Sequence, residues 1–206
     1  VKPISIAHGI VATPERFPLA ADLASQLDAD VISVDDDHMG ERANHQNCLE
    51  QLMDVEADWL VMIEDDAILC QGFVSREFQA VREIGRDHVG SWYLGTGRWA
   101  GKSWSVHGPR VDQMVANAER TGADLIWADG LWHAVAVAIP STIAPELLHH
   151  MKHSEEHTDW AISDWCKATG TKVAYTIPSL VDHRDDRKHM CDGEPVDRHA
   201  ICFEGV

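Results

Sequence analysis

Three consecutive acids, Glu64, Asp65 and Asp66, follow the uninterrupted apolar run Trp59-Leu60-Val61-Met62-Ile63. Carboxylate oxygens are hard ligands suited to Mg²⁺ or Mn²⁺, ions that bridge one or two protein carboxylates to substrate phosphate oxygens. Side chains on extended backbone alternate in direction, so the three acids cannot all reach one ion. Asp66 is expected as the direct ligand and Glu64 as the second, with Asp65 turned toward a sugar or a backbone amide. A second acidic group, Asp35-Asp36-Asp37, closes the apolar run Val31-Ile32-Ser33-Val34. Asp35 and Asp37 can accept hydrogen bonds there from ribose hydroxyls or a base imide, and Arg16 can face phosphate. His183 follows Asp182 after a strand-like Ser179-Leu180-Val181, and a neutral imidazole can bind Mn²⁺ beside carboxylates.

The elements that must position these groups can be read from periodicity. Ile4–Val11 has strand character and leads through Pro14 and Pro18 to a helical stretch at Leu19–Leu27. Further strands are expected at 30–34, at 59–63 (central and buried on both faces), and at 91–94, 134–139 and 172–176. Helical patterns are expected at 41–55, 74–84, 110–120, 145–151 and 159–169. Alternation of the two predicts one α/β domain over residues 1–206, a mainly parallel sheet with helices on both faces. Open parallel sheets bind ligands beyond the carboxyl ends of their strands, which is where the acids fall. The Trp-, Gly- and Ser-rich stretch 97–108 is the best candidate for a long functional loop. Residues 178–206 are expected to be irregular, with the charged run Arg184-Asp185-Asp186-Arg187-Lys188 a possible lid over the site.

Composition narrows the partners. Thirty-four acidic against 17 basic residues give a net charge of -17, which repels duplex nucleic acid and anionic lipid. No apolar run approaches the roughly 20 residues that cross a bilayer. Five widely spaced cysteines, an odd number, without a secretory leader upstream fit a reducing cytoplasm. The order His189-x-Cys191 then His199-x-x-Cys202 matches no common zinc pattern, and Gly95, Gly97 and Gly101 do not form a dinucleotide fingerprint.

The apolar strand ending in Glu64-Asp65-Asp66-Ala67 resembles the DXD motif of GT-A glycosyltransferases, in the form seen in lipopolysaccharide-type and phage-encoded members. Three later segments follow in the same order. Asp129-Gly130-Leu131-Trp132-His133 resembles the family's glycine loop near donor and acceptor. His157-Thr158-Asp159-Trp160 resembles the helix start that carries the catalytic base of inverting members. Pro178–His183 resembles the late segment whose histidine completes the metal shell.

The resemblance implies a Rossmann-like GT-A fold and Mn²⁺ or Mg²⁺ on Glu64, Asp66 and His183. It also implies a nucleoside diphosphate-sugar donor, a UDP-sugar first, near Ala12, Thr13, Arg16, Asp35, Asp37, Asp65 and Gly130, with Asp159 as base. Asp164, five residues on in the same helix, competes with Asp159, but about 100° per residue separates them by about 140° around the axis. Acceptors among such enzymes would be a modified base in DNA, a virion protein or a glycan. Two other readings stand beside this one: a metal-dependent phosphohydrolase or nuclease built on Asp35, Asp65, Asp66 and His183, and, from the net charge of -17, a non-enzymatic acidic protein that mimics a polyanion.

Overall fold

The computed structural model describes residues 3–95, 108–184 and 199–205. Seven strands form one sheet in the order β2-β1-β3-β7-β5-β8-β6. They are β1 (Ile6–Ala12), β2 (Val31–Val34), β3 (Trp59–Glu64), β5 (Val89–Ser91), β6 (Leu125–Ala128), β7 (Ala136–Pro140) and β8 (Val173–Thr176). A separate two-stranded ribbon pairs β4 (Ala67–Leu69) with β9 (Val181–His183).

Helices cover both faces, so the architecture is the α/β sandwich that the alternation predicts. On one face α2 (Glu41–Met53), α4 (Gly108–Thr121), α5 (Ala144–His153) and α6 (Thr158–Thr169) bury Leu49, Leu52, Leu147 and Ile162 against the sheet. On the other, α1 (Phe17–Leu27) and α3 (Phe73–Ile84) bury Leu23, Leu27, Phe73 and Val81. Strand β3 lies between these layers, with Trp59 to Ile63 fully buried, and its alternate side chains serve opposite cores. A run apolar at every position is what a strand covered on both faces requires.

Strands β1, β2, β3, β5 and β8 run one way, while β7 and β6 run against their neighbours. The sheet is therefore mixed. Reversal of β7 matters for function, because it brings the start of that strand, rather than its end, to the carboxyl edge of β3: Ile63 is opposite Ala136, and the Glu64 amide donates to the Val135 carbonyl at 2.9 Å. The strand expected at 91–94 ends early at Ser91. The Trp92 amide still bonds Ala136, but the Trp92 carbonyl accepts from both Leu180 and Val181, which pulls the chain off the β8 ladder.

Two short strands have no counterpart in the sequence reading, β4 and the edge strand β6, and Val181–His183 is paired rather than irregular. The stretch 96–107, with Trp99 and Trp104, and the run 185–198, with His189 and Cys191, lie outside the described residues.

Helix α2 can lie close to β1 because position 9 is glycine. A Cβ at Gly9 would stand 2.6 Å from Cys48 Sγ and 2.9 Å from Leu52 Cδ1. Gly9→Ala is expected to destabilise the fold by about 1–3 kcal/mol through overpacking. Adding Cys48→Ala should recover part of that loss in a urea-unfolding series, whereas additive costs would place the strain elsewhere.

Candidate metal centre

The parallel trio β2-β1-β3 delivers its carboxyl ends to one edge, and with them Asp35, Ala12-Thr13 and Glu64-Asp65-Asp66. A buried polar network fixes that edge. Asn44 of α2 donates to the Ala12 carbonyl at 2.9 Å and accepts from Ser33 Oγ at 2.7 Å, and Asn47 donates to the same hydroxyl at 3.0 Å. Such satisfied buried networks hold a single arrangement.

The chain then turns at Asp65-Asp66 into β4, and β4 pairs antiparallel with β9 so that Ala67 stands opposite His183. The Arg184 amide donates to the Asp66 carbonyl at 3.0 Å, closing the ribbon. This small ladder carries His183 across more than a hundred residues of sequence to the acids. His183 Nε2 lies 3.4 Å from Asp66 Oδ2, and both side chains are buried. One ligand atom each from Glu64, Asp66 and His183 falls within 4.8 Å of the others. Two hard carboxylates suit Mn²⁺ or Mg²⁺, and the imidazole favours Mn²⁺ of the two. Asp66 is buried and its Oδ1 has no hydrogen-bond partner, so its protein neighbours leave this carboxylate incompletely satisfied, as a metal ligand would be before its ion binds.

Asp65 does something different from its neighbours. It is 1% exposed, accepts the Thr13 amide at 3.0 Å through Oδ2, and lies 3.0 Å from Arg16 Nε through Oδ1. The expectation that the middle acid turns toward a backbone amide is met. Arg16 Nη1 also makes a very short contact with Asp66 Oδ2, so a single guanidinium spans both aspartates. Arg16 sits on a tight turn at Pro14–Arg16 just before α1, fixed by its own amide donating to the Thr13 carbonyl at 3.1 Å.

Two neighbours of this site had no signal in the sequence. His45, 1% exposed, places Nδ1 2.9 Å from the Glu41 carbonyl and Nε2 3.8 Å from Glu64 Oε1. Glu41 in turn has one carboxylate oxygen 3.3 Å from His45 Nδ1 and the other 3.6 Å from His157 Nδ1. A line of charged and imidazole groups thus joins Glu64 to the start of α6. A single His at i+4 from a Glu on a polar helix reads as an ordinary surface pair, and only the tertiary fold shows that it is buried against β3.

The other candidates divide. Asp35 spends both carboxylate oxygens on its own turn, accepting the Met39 amide at 2.5 Å and the Gly40 amide at 3.0 Å, while Asp37 is exposed. Asp35 thus holds the loop after β2, a capping role that competes with direct recognition of a nucleoside. Gly130 is set against α6, where a Cβ would stand 2.8 Å from Ser163 Oγ, and its carbonyl accepts the Tyr175 hydroxyl at 3.1 Å. Its glycine is required by close packing against α6. Asp164 is exposed and paired with Lys167 at 3.2 Å. Trp92 belongs to the core, and the Trp132 and Tyr175 rings stack with centroids 4.7 Å apart. Two clefts, of 260 and 400 Å³, lie against α3. The larger is floored by His8 and Glu77, but Glu77 is already satisfied by His8 Nε2 at 2.8 Å and Trp92 Nε1 at 2.9 Å, so the chemistry favours the acid edge.

Asp159, in the first turn of α6, is half-buried, and burial followed by the nearby charge of Glu41 raises its pKa to about 6, against the pull of its hydrogen bond from the Trp160 amide and of His157. A carboxyl poised there can exchange a proton near neutral pH. The sign for stability follows. A folded pKa above the unfolded value means the protonated form is favoured by folding, a contribution complete below about pH 4 and lost as pH rises through 6. Asp159→Asn is expected to be more stable than the parent by about 1–2 kcal/mol at pH 8, with the difference vanishing near pH 4. Urea midpoints at the two pH values check this, and a pH-independent difference would contradict the assignment.

No protein-family model and no curated protein sequence matches this chain. Among solved structures, the chain is similar to A197 from STIV, with a TM-score of 0.51 and 14% identity over 91% of this chain and 98% of that one. At that identity the likeness concerns the fold: a single α/β unit with a central mixed sheet.

Proposed function

We propose that this chain is a metal-dependent glycosyltransferase that moves a sugar from a nucleoside diphosphate-sugar, first of all a UDP-sugar, to an acceptor hydroxyl with inversion. The observation that carries the reading is the meeting of Glu64, Asp66 and His183, from two distant segments, at the carboxyl edge of β3. When bound, Mn²⁺ or Mg²⁺ neutralises the charge that builds on the departing diphosphate.

The protein's own residues do the rest. Glu64, Asp66 and His183 hold the cation, and Asp65, anchored by the Thr13 amide, keeps the loop after β1 beside it. Arg16 supplies a guanidinium whose planar fork suits phosphate oxygens. Asp159 takes the proton from the acceptor hydroxyl as that oxygen bonds to the anomeric carbon and the bond from that carbon to the diphosphate breaks. With a pKa of about 6, Asp159 is largely ionised at neutral pH and still basic enough to accept a proton.

The reading places the protein in a reducing cytoplasm, with a modified base in DNA, a virion protein or a glycan as acceptor. The charge of -17 counts against duplex DNA. No described helix is long and apolar enough to cross a membrane.

A thermal-shift panel of nucleoside diphosphates with and without Mn²⁺ tests the reading. One diphosphate should raise the melting temperature by several degrees only when Mn²⁺ is present, and Asp66→Asn should abolish that gain. Stabilisation that is equal without metal, or that survives Asp66→Asn, overturns it.

A further inference from the structure

The acid edge carries its own cation. Asp65 and Asp66 are both buried, and a single guanidinium, Arg16, binds Asp65 Oδ1 at 3.0 Å through Nε and Asp66 Oδ2 through Nη1. Oδ2 is also the oxygen of Asp66 that faces His183 Nε2, at 3.4 Å. An ion that bridges Asp66 and His183 through these facing atoms takes the oxygen that Arg16 holds. A divalent ion and a guanidinium on one carboxylate oxygen repel each other strongly in a buried setting.

We propose that Arg16 is the resident counter-ion of this site, which competes with the metal for Asp66 and passes to the diphosphate when the metal binds. The inference rests on the metal reading above and adds an order of events to it. The geometry allows the exchange without disturbing the rest of the edge. Asp65 is fixed independently by the Thr13 amide at 3.0 Å, so the guanidinium can turn away from Asp66 without freeing Asp65 from the loop after β1. The Arg16 side chain is 28% exposed, which leaves its outer face accessible. Pro14 and the bond from the Arg16 amide to the Thr13 carbonyl hold the backbone of the turn, so motion is confined to the side chain.

Two consequences of opposite sign follow. With one guanidinium already offsetting part of the acids' charge and holding an oxygen of Asp66, the metal alone binds weakly. Once it is bound, the released guanidinium is free for phosphate oxygens, so metal and diphosphate strengthen each other's binding beyond their direct contact.

Titration of Mn²⁺ followed by the paramagnetic resonance of the free aquo ion, with and without UDP, tests this on the full chain. Arg16→Gln is expected to bind Mn²⁺ alone about tenfold more tightly than the parent, and UDP in the presence of Mn²⁺ about tenfold more weakly, with UDP affinity in the absence of metal unchanged. Arg16→Lys, which keeps the charge but cannot span two carboxylates, should recover part of the UDP affinity, and circular dichroism establishes that both variants fold. Unchanged or weaker Mn²⁺ binding by a folded Arg16→Gln overturns the proposal while leaving the metal reading intact. Equal loss of UDP affinity with and without metal overturns it as well. Failure of the parent and both variants to bind Mn²⁺ at all removes the metal reading and the proposal together.

Discussion

Buried negative charge needs a partner, and this constraint organises the whole molecule. Strand β3 ends in three acids at the point where it leaves a core covered on both faces, and Asp65 and Asp66 remain almost fully enclosed. Isolated carboxylates in such a setting would be costly, so the fold must bring positive charge or hydrogen-bond donors to them. It does so from three directions, a backbone amide after β1, a guanidinium from the following turn and an imidazole on β9, while a second imidazole, on α2, faces the neighbouring Glu64.

Each supplier depends on a structural choice made elsewhere. Gly9 lets α2 approach β1, which places His45 against Glu64. The β4-β9 ladder exists only because the chain turns sharply after the acids, and it sets His183 beside Asp66. Reversal of β7 carries Val135 to the Glu64 amide, so the loop entering β7 borders the same edge. Burial of the opposite chemistry is equally deliberate: Cys48 and Cys166 have their thiol pKa values pushed up to about 12 by burial, which keeps them inert as packing groups.

Local features were legible in the sequence because they are written in contiguous residues. The all-apolar run before Glu64 could only be an interior strand, and three adjacent acids at its end could only alternate. Of the two orientations expected for Asp65, toward a sugar or a backbone amide, its carboxylate takes the Thr13 amide. What escaped notice depends on contacts far apart in the chain. Ala67–Leu69 and Leu125–Ala128 are too short to show periodicity, and become strands because β9 and β8 lie beside them. His45 looks like any polar helix residue until α2 is docked. Asp35 sits at the right strand end to meet a nucleoside, yet its position four and five residues before Met39 and Gly40 lets it cap its own loop, an outcome that local turn chemistry could have signalled. Gly130 marks a close helix contact, which is as good a reason for glycine as a ligand would be.

The central claim is that one divalent cation is held jointly by Glu64, Asp66 and His183. Anomalous diffraction at the manganese edge, from crystals grown with Mn²⁺ and UDP, measures this directly. The account predicts a single strong peak within about 2.5 Å of both carboxylates and the His183 ring, with Arg16 withdrawn from Asp66. A peak bound elsewhere, or no peak at the acid edge in a protein that binds Mn²⁺, would contradict it.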